Sequence, residues 1–139
     1  MSESASVGPA VVLVYSDDRS VRDRLRLAMG RRVASDLPEI TVIDTATQPA
    51  VLSALDAGGI DLAIFDGEAS PAGGLGLCRQ VKDEVADCPP VLVVVGRRQD
   101  AWLASWSRAD EVAAHPIDPV SFPELVARQL RAHLDRTPA

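Results

Sequence analysis

The stretch Asp61-Leu62-Ala63-Ile64-Phe65-Asp66 places a short apolar run directly before an aspartate. Three more apolar runs stop at or just before polar residues or a glycine: 11–15 before Asp17-Asp18, 91–95 before Gly96, and 112–114 before His115-Pro116. Short uninterrupted runs of this kind are typical of parallel strands that are covered on both faces. Parallel strands end at one edge of a sheet, so that edge is expected to carry a cluster of carboxylates.

Amphipathic stretches alternate with the apolar runs along the whole chain. The patterns predict strands over 11–15, 40–43, 61–65, 91–95 and 111–114. They predict helices over 19–32, from 47 to near 58, from the end of a Gly- and Pro-rich loop at 71–76 to 86, over 100–109, and over 121–135. Five strands alternating with five helices indicate βαβ units, and therefore an α/β fold with a doubly wound, five-stranded parallel sheet of the flavodoxin-like kind.

Composition limits the classes of protein to which the chain can belong. We expect one domain over 10–135, with disordered tails at 1–9 and 136–139. The net charge of -6 disfavours nucleic acid as a partner. There is no apolar stretch of membrane-spanning length, and the first nine residues lack the basic region of a signal peptide. Cys78 and Cys88 lack metal-site spacing, so we expect free thiols in a reducing cytoplasm.

Residues 10–135 resemble a receiver domain of bacterial two-component signalling. The resemblance rests on the first strand with Ser16-Asp17-Asp18, on the strand before Asp66 with Gly74-Leu75 beyond it, and on His115-Pro116. It implies the (βα)5 fold and a phosphoacceptor at Asp66. It also implies two acidic residues after the first strand that hold Mg²⁺. A Ser or Thr after the fourth strand and a Lys before a cis proline would contact the phosphoryl oxygens.

The acidic positions after the first strand can be matched in two ways. Counting back from Val21-Arg22 places them at Ser16 and Asp17, with Asp18 on the next, often acidic, position, whereas counting from the acidic pair places them at Asp17 and Asp18. With Ser16 in the first position, one ligand is a neutral hydroxyl, and Mg²⁺ binding is expected to be weak. Asp17, Asp66 and Glu68 are then the candidate metal ligands, although a solvated loop residue is the simpler interpretation of Glu68.

Three positions depart from what the resemblance implies. The Ser/Thr position matches Gly96, which has no hydroxyl. The Lys position matches His115, which is either a counter-ion for the carboxylates or a neutral, solvent-facing side chain. The aromatic switch position matches Val112, and Pro116 matches the cis proline. Because a ligand shifts an equilibrium only through contacts that differ between two states, these changes predict an atypical receiver, or pseudo-receiver.

The predicted fourth helix carries a candidate contact surface. Trp102 and Trp106 are four residues apart and would share one side of that helix. Trp is enriched at interface hot spots, so we expect a protein partner, either a histidine kinase or an effector, or a homodimer through the face of helix 4, strand 5 and helix 5. The alternative is that one or both Trp side chains fill the core.

We therefore predict a stand-alone, non-enzymatic signalling module that acts by protein contact, with weak or absent phosphorylation switching. One alternative is a working Mg²⁺-dependent phosphoacceptor at Asp66. Another is a flavodoxin-like small-molecule-binding enzyme or nucleotide binder. The loop of residues 15–20 disfavours this last class, because it has no glycine and two acids that repel phosphate. We expect no DNA-binding domain after residue 135.

Overall fold

The computed structural model describes residues 8–136, except the side chains of residues 104, 105 and 136. Of the predicted tails, 1–7 and 137–139 lie outside the described residues. The strands are β1 (Ala10–Tyr15), β2 (Ile40–Thr45), β3 (Leu62–Asp66), β4 (Val91–Val95) and β5 (Glu111–Ala114). The helices are α1 (Arg19–Met29), α2 (Gln48–Ala57), α3 (Gly74–Glu84), α4 (Leu103–Ser107) and α5 (Ser121–Arg136), with one 3-10 turn at Arg98–Asp100. Within the described part, no helix combines the length and apolarity needed to cross a membrane.

The five strands form one parallel sheet in the order β2-β1-β3-β4-β5. This confirms the predicted doubly wound α/β fold. The chain order reverses between β1 and β3, and open sheets of this type bind ligands at the carboxyl ends of the strands beside such a reversal. β3 is central, with β1 on one side and β4 on the other, so the end of β3 lies at the middle of that crevice.

Successive residues of each central strand enter two separate cores. In β1, Val12 and Val14 join the core under α1 and α5, whereas Leu13 and Tyr15 join the core under α2 and α3. Every residue of β3 and β4 is buried, which explains why both read as uninterrupted apolar runs. The two cores fix the strand ends, and with them the positions of the polar residues that follow.

Several element boundaries differ from the predicted ones for local reasons. The first helix ends at Met29 rather than 32, because Gly30 takes a positive φ of 63° and its N–H bonds the Arg26 carbonyl. β2 continues to Thr45, and α3 begins already at Gly74, inside the predicted loop. The fourth helix is short because a 3-10 turn precedes it and Arg108 takes a positive φ of 66° after it.

Candidate functional site

Asp66 ends β3 and is only 3% exposed. Its two carboxylate oxygens have different partners. Oδ2 accepts a hydrogen bond of 2.7 Å from the Ser16 hydroxyl, and Oδ1 accepts one of 2.9 Å from the backbone N–H of Glu68. An ionised carboxylate offers about four lone-pair sites, so these two bonds orient Asp66 and leave acceptor capacity on both oxygens.

Ser16 connects Asp66 to the loop after β1. Its side chain is fully buried, and besides donating to Asp66 it accepts a bond of 3.0 Å from the Asp18 N–H. The Ser16 carbonyl accepts a bond of 2.6 Å from Arg22 in α1. The loop, the helix and the acidic strand end are therefore held together by one buried hydroxyl and one guanidinium.

The adjacent acids Asp17 and Asp18 have different roles. Asp18 caps the N-terminus of α1, where its Oδ1 accepts from the N–H and the hydroxyl of Ser20 at 2.8 and 2.7 Å. The bond from the Ser20 hydroxyl is the main reason that the pKa of Asp18 lies below its usual value. Asp17 instead accepts from the N–H of Ser70 at 3.0 Å, which connects the loop after β1 to the loop after β3.

The three positions that depart from the receiver pattern lie in β5 or directly after β4 and β5. Gly96 directly follows β4 and borders the same pocket as Asp66, and His115 follows β5 with its Nε2 3.9 Å from Asp66 Oδ1. The His115–Pro116 peptide bond is cis. Val112 is half-buried and packs against the core under α2 and α3.

These side chains border an open pocket of about 510 Å³ at the strand ends. It is lined by Asp17, Asp18, Val21, Arg24, Asp66, Glu68, Gly96, His115 and Pro116. Four carboxylates thus share the pocket with one fixed cation and one histidine. Sequence reasoning missed the cation Arg24, although its spacing of three residues from Val21 places both on the side of α1 that faces the pocket.

The donor set fits a Mg²⁺ ion. Mg²⁺ keeps several waters and is usually bound through one or two carboxylates, which Asp17 and Asp66 can supply. Among residues 8–136, no group of three or more His, Cys, Asp or Glu side chains is arranged to hold a metal. Glu68, the third predicted ligand, places its carboxylate against Gly96.

The two tryptophans lie on the surface and do not line the pocket that contains Asp66. Trp102 is 71% exposed and Trp106 is 52% exposed. Trp106 belongs to α4, whereas Trp102 comes just before that helix rather than within it. The Arg79 guanidinium lies 5.2 Å from the centre of the Trp106 ring and donates a bond of 2.7 Å to the Trp106 carbonyl. Neither tryptophan fills the core.

Replacing Ser16 with alanine is expected to lower the free energy of unfolding by about 1–3 kcal/mol, because a buried carboxylate oxygen and the Asp18 N–H would lose their partner. Urea unfolding measures this. Ser53→Ala, at an exposed position in α2, is the matched control and should stay within about 0.5 kcal/mol of the wild type. Equal stability of the two variants would mean that the Ser16 hydroxyl does not support the site.

Two related proteins, rather than a family model, show the family to which the chain belongs. No protein-family model matches the chain. Two proteins of Mycobacterium tuberculosis, from strains CDC 1551 and H37Rv, are each named an uncharacterized response regulatory protein. Each is 52% identical to this chain over 121 residues, which cover 87% of this chain and 91% of the relative.

Solved structures agree with the fold at low sequence identity. A receiver domain protein (CheY-like) from Methanospirillum hungatei JF-1 matches with a TM-score of 0.70 and 17% identity, covering 94% of this chain and all of that one. The chemotaxis response regulator CheY4 of Vibrio cholerae matches with a TM-score of 0.70 and 18% identity, covering 88% of this chain and 99% of that one. Since the two mycobacterial relatives share half of their residues with it over nearly their whole length, the chain belongs to the response regulators and is a receiver domain of two-component signalling.

Proposed function

We propose that this receiver is atypical, and that it acts through protein contact with weak or absent phosphorylation switching. One observation carries the proposal. At the end of β4, the residue that borders the Asp66 pocket is Gly96, which has no side chain to bond an anion on Asp66. An acyl phosphate at Asp66 would therefore lack the hydroxyl contact through which β4 could respond to it.

The second position through which an anion at Asp66 could affect the protein surface is Val112, and it also lacks the required side chain. Val112 is apolar and packs against the core under α2 and α3, so no polar ring is present to move between solvent and interior. A ligand shifts a conformational equilibrium only by the difference between its contacts in the two states. Neither Gly96 nor Val112 can supply contacts that differ between two conformations. The structural effect of an anion bound at Asp66 is therefore expected to stay within the pocket.

The charges in the pocket also favour weak or absent phosphorylation. A phosphoryl group on Asp66 would join Asp17, Asp18 and Glu68, whereas the basic residues that line the pocket are Arg24 and His115. Like charges in one pocket disfavour further negative charge. Mg²⁺, when bound by Asp17 and Asp66, would neutralise part of it. The use of Asp18 as the helix cap supports matching the acidic positions to Ser16 and Asp17, which leaves one metal ligand fewer.

A working phosphoacceptor is the second candidate function. It is favoured by the geometry of Asp66 itself, whose carboxylate is oriented by Ser16 and Glu68 yet keeps acceptor capacity and opens into the pocket. The two candidates differ in whether occupancy of the pocket reaches the distant surface.

Amide NMR of the full chain, with Mg²⁺ and then beryllofluoride added, tests the proposal. Shifts are expected to be absent or confined to the loops after β1, β3 and β4, because the coupling contacts are missing. Asp66→Asn is the control, since any specific shift should vanish in it. Shifts that spread to Trp102, Trp106 and α5 and vanish in Asp66→Asn would support the working phosphoacceptor instead.

For partners, we propose that Trp102 and Trp106 form part of a contact surface. Receiver domains interact with histidine kinases and effectors, and exposed Trp side chains are favourable anchors for such contacts. If the partner is a second copy, Trp102→Ala and Trp106→Ala should each weaken self-association about tenfold or more, as measured by sedimentation. Leu27→Ala is the control, because Leu27 is 80% exposed on α1. Unchanged self-association and unchanged kinase or effector binding in both Trp variants would contradict the proposal.

A further inference from the structure

Glu68 lies at the second position after Asp66, and its carboxylate rests directly on Gly96. A Cβ atom built on Gly96 would lie 2.7 Å from the Glu68 carboxyl carbon and 2.8 and 3.1 Å from its two oxygens. Two of these distances are below 3.0 Å, a separation that real Cβ atoms essentially never show. The Glu68 carboxylate therefore occupies the space in which any side chain at position 96 would begin.

We propose that Glu68 is an internal anion that competes with a phosphoryl group for the Asp66 pocket, and that Gly96 is the residue whose lack of a side chain admits it. The inference rests on the proposed function in one respect, namely that Asp66 is the site at which an anion would be received. It goes further by naming the residue that controls access to that site.

The surroundings of Glu68 favour this role. Glu68 and Gly96 both line the pocket that contains Asp66 and His115. The backbone N–H of Glu68 is fixed by Asp66, but its side chain is exposed. Among the side chains that the structure describes, none of the ion pairs involves Glu68. An anion bound at Asp66 would thus meet an unneutralised, movable carboxylate at the end of β4.

Two substitutions remove Glu68 from the pocket by independent means. Glu68→Gln removes the charge while keeping nearly the same shape. Gly96→Ala keeps the charge but adds a methyl group where the carboxylate lies. Because the atoms that this methyl group would meet are the far end of a flexible side chain, Glu68 is expected to rotate outward without distortion of the backbone.

The test is a beryllofluoride titration of the full-length chain at a fixed, high Mg²⁺ concentration, followed by fluorine-19 NMR. Loss of one nearby like charge at a solvated site predicts about fivefold tighter binding in Glu68→Gln. Gly96→Ala should tighten binding in the same direction. In a Glu68→Ala background Gly96→Ala should add nothing, because the side chain that it displaces is already gone. Gly76→Ala is the matched control, because Gly76 is exposed in α3 and a Cβ atom there would meet nothing within 4 Å beyond its own helix backbone.

Each other outcome overturns the inference. Weaker beryllofluoride binding in Glu68→Gln would assign Glu68 to metal ligation. A Gly96→Ala effect that persists in the Glu68→Ala background would show that the methyl group acts otherwise than by displacing Glu68. Unchanged or undetectable binding in all variants would show that Glu68 is not the obstacle. None of these outcomes decides whether an anion at Asp66 changes the conformation of α5. The amide shifts of the wild type measure that separately, so the proposed function can fail while this inference stands, and the reverse.

Discussion

Gly74→Ala is expected to lower the free energy of unfolding by about 2–4 kcal/mol, which is large for the addition of one methyl group. A Cβ atom on Gly74 would lie 2.5 Å from the Asp66 carbonyl oxygen, 2.7 Å from its carbon and 3.0 Å from the Gly67 nitrogen. All three are backbone atoms at the end of β3, so no side chain can rotate away. Either α3 or the strand end must move.

Urea unfolding of Gly74→Ala beside Gly76→Ala gives the comparison. Gly76 lies in the same helix but is exposed, and a Cβ atom there would meet nothing within 4 Å beyond its own helix backbone. Alanine there should stabilise the protein by about 0.5–1 kcal/mol, because glycine is a poor helix former. Similar stability of the two variants would contradict the close packing of α3 on the strand end. Movement of α3 or of the end of β3 in Gly74→Ala should also shift the amide signals of Asp66 and Glu68, whereas Gly76→Ala should leave them unchanged.

Phe65→Ala is expected to cost about 3–5 kcal/mol of unfolding free energy. Phe65 is fully buried in the core under α2 and α3, and its ring meets the Tyr15 ring edge-to-face with centroids 6.0 Å apart. Truncation would leave a cavity in the core under α2 and α3 and remove the aromatic contact between β1 and β3. This single side chain thus supports the two strands that carry the acidic loops.

The control for Phe65→Ala is Leu27→Ala, which removes a large apolar side chain that is 80% exposed and should change stability by less than about 0.5 kcal/mol. Denaturant midpoints of both variants measure the difference. If Phe65→Ala does not fold, Phe65→Leu should still show a loss of about 1 kcal/mol or more. A Phe65→Leu variant as stable as Leu27→Ala would contradict the packing at this position.

The strands were predictable from the sequence because both faces of the central sheet are covered. β3 and β4 are buried at every residue, so their apolar runs are uninterrupted and easily recognised. Boundaries that depend on close backbone approach were not predictable. α3 begins at Gly74 because glycine allows its first turn to pack on Asp66, and a run of glycines and prolines gives no local sign of this.

The sequence predicted that one edge of the sheet, at the carboxyl ends of the strands, carries Asp17, Asp66, Glu68 and His115. It did not predict their hydrogen-bond partners. The partner of Asp66 proved to be the hydroxyl of Ser16, 50 residues away, and Asp18 was committed to capping α1. Arg24 was missed because a charged helix residue usually belongs to a solvated face. The exposure of both Trp side chains was undecided, since aromatic spacing alone fits a core or a surface equally well.

The sequence by itself therefore determined the order of elements, the parallel sheet and the residues that collect at its carboxyl edge, because local periodicity and strand direction depend on near neighbours along the chain. Only the tertiary structure decided which atoms meet there. The bond between Ser16 and Asp66 and the placement of the Glu68 carboxylate on Gly96 depend on strand register and side-chain rotamers. Both are set by packing between segments far apart in the chain, which no local pattern records.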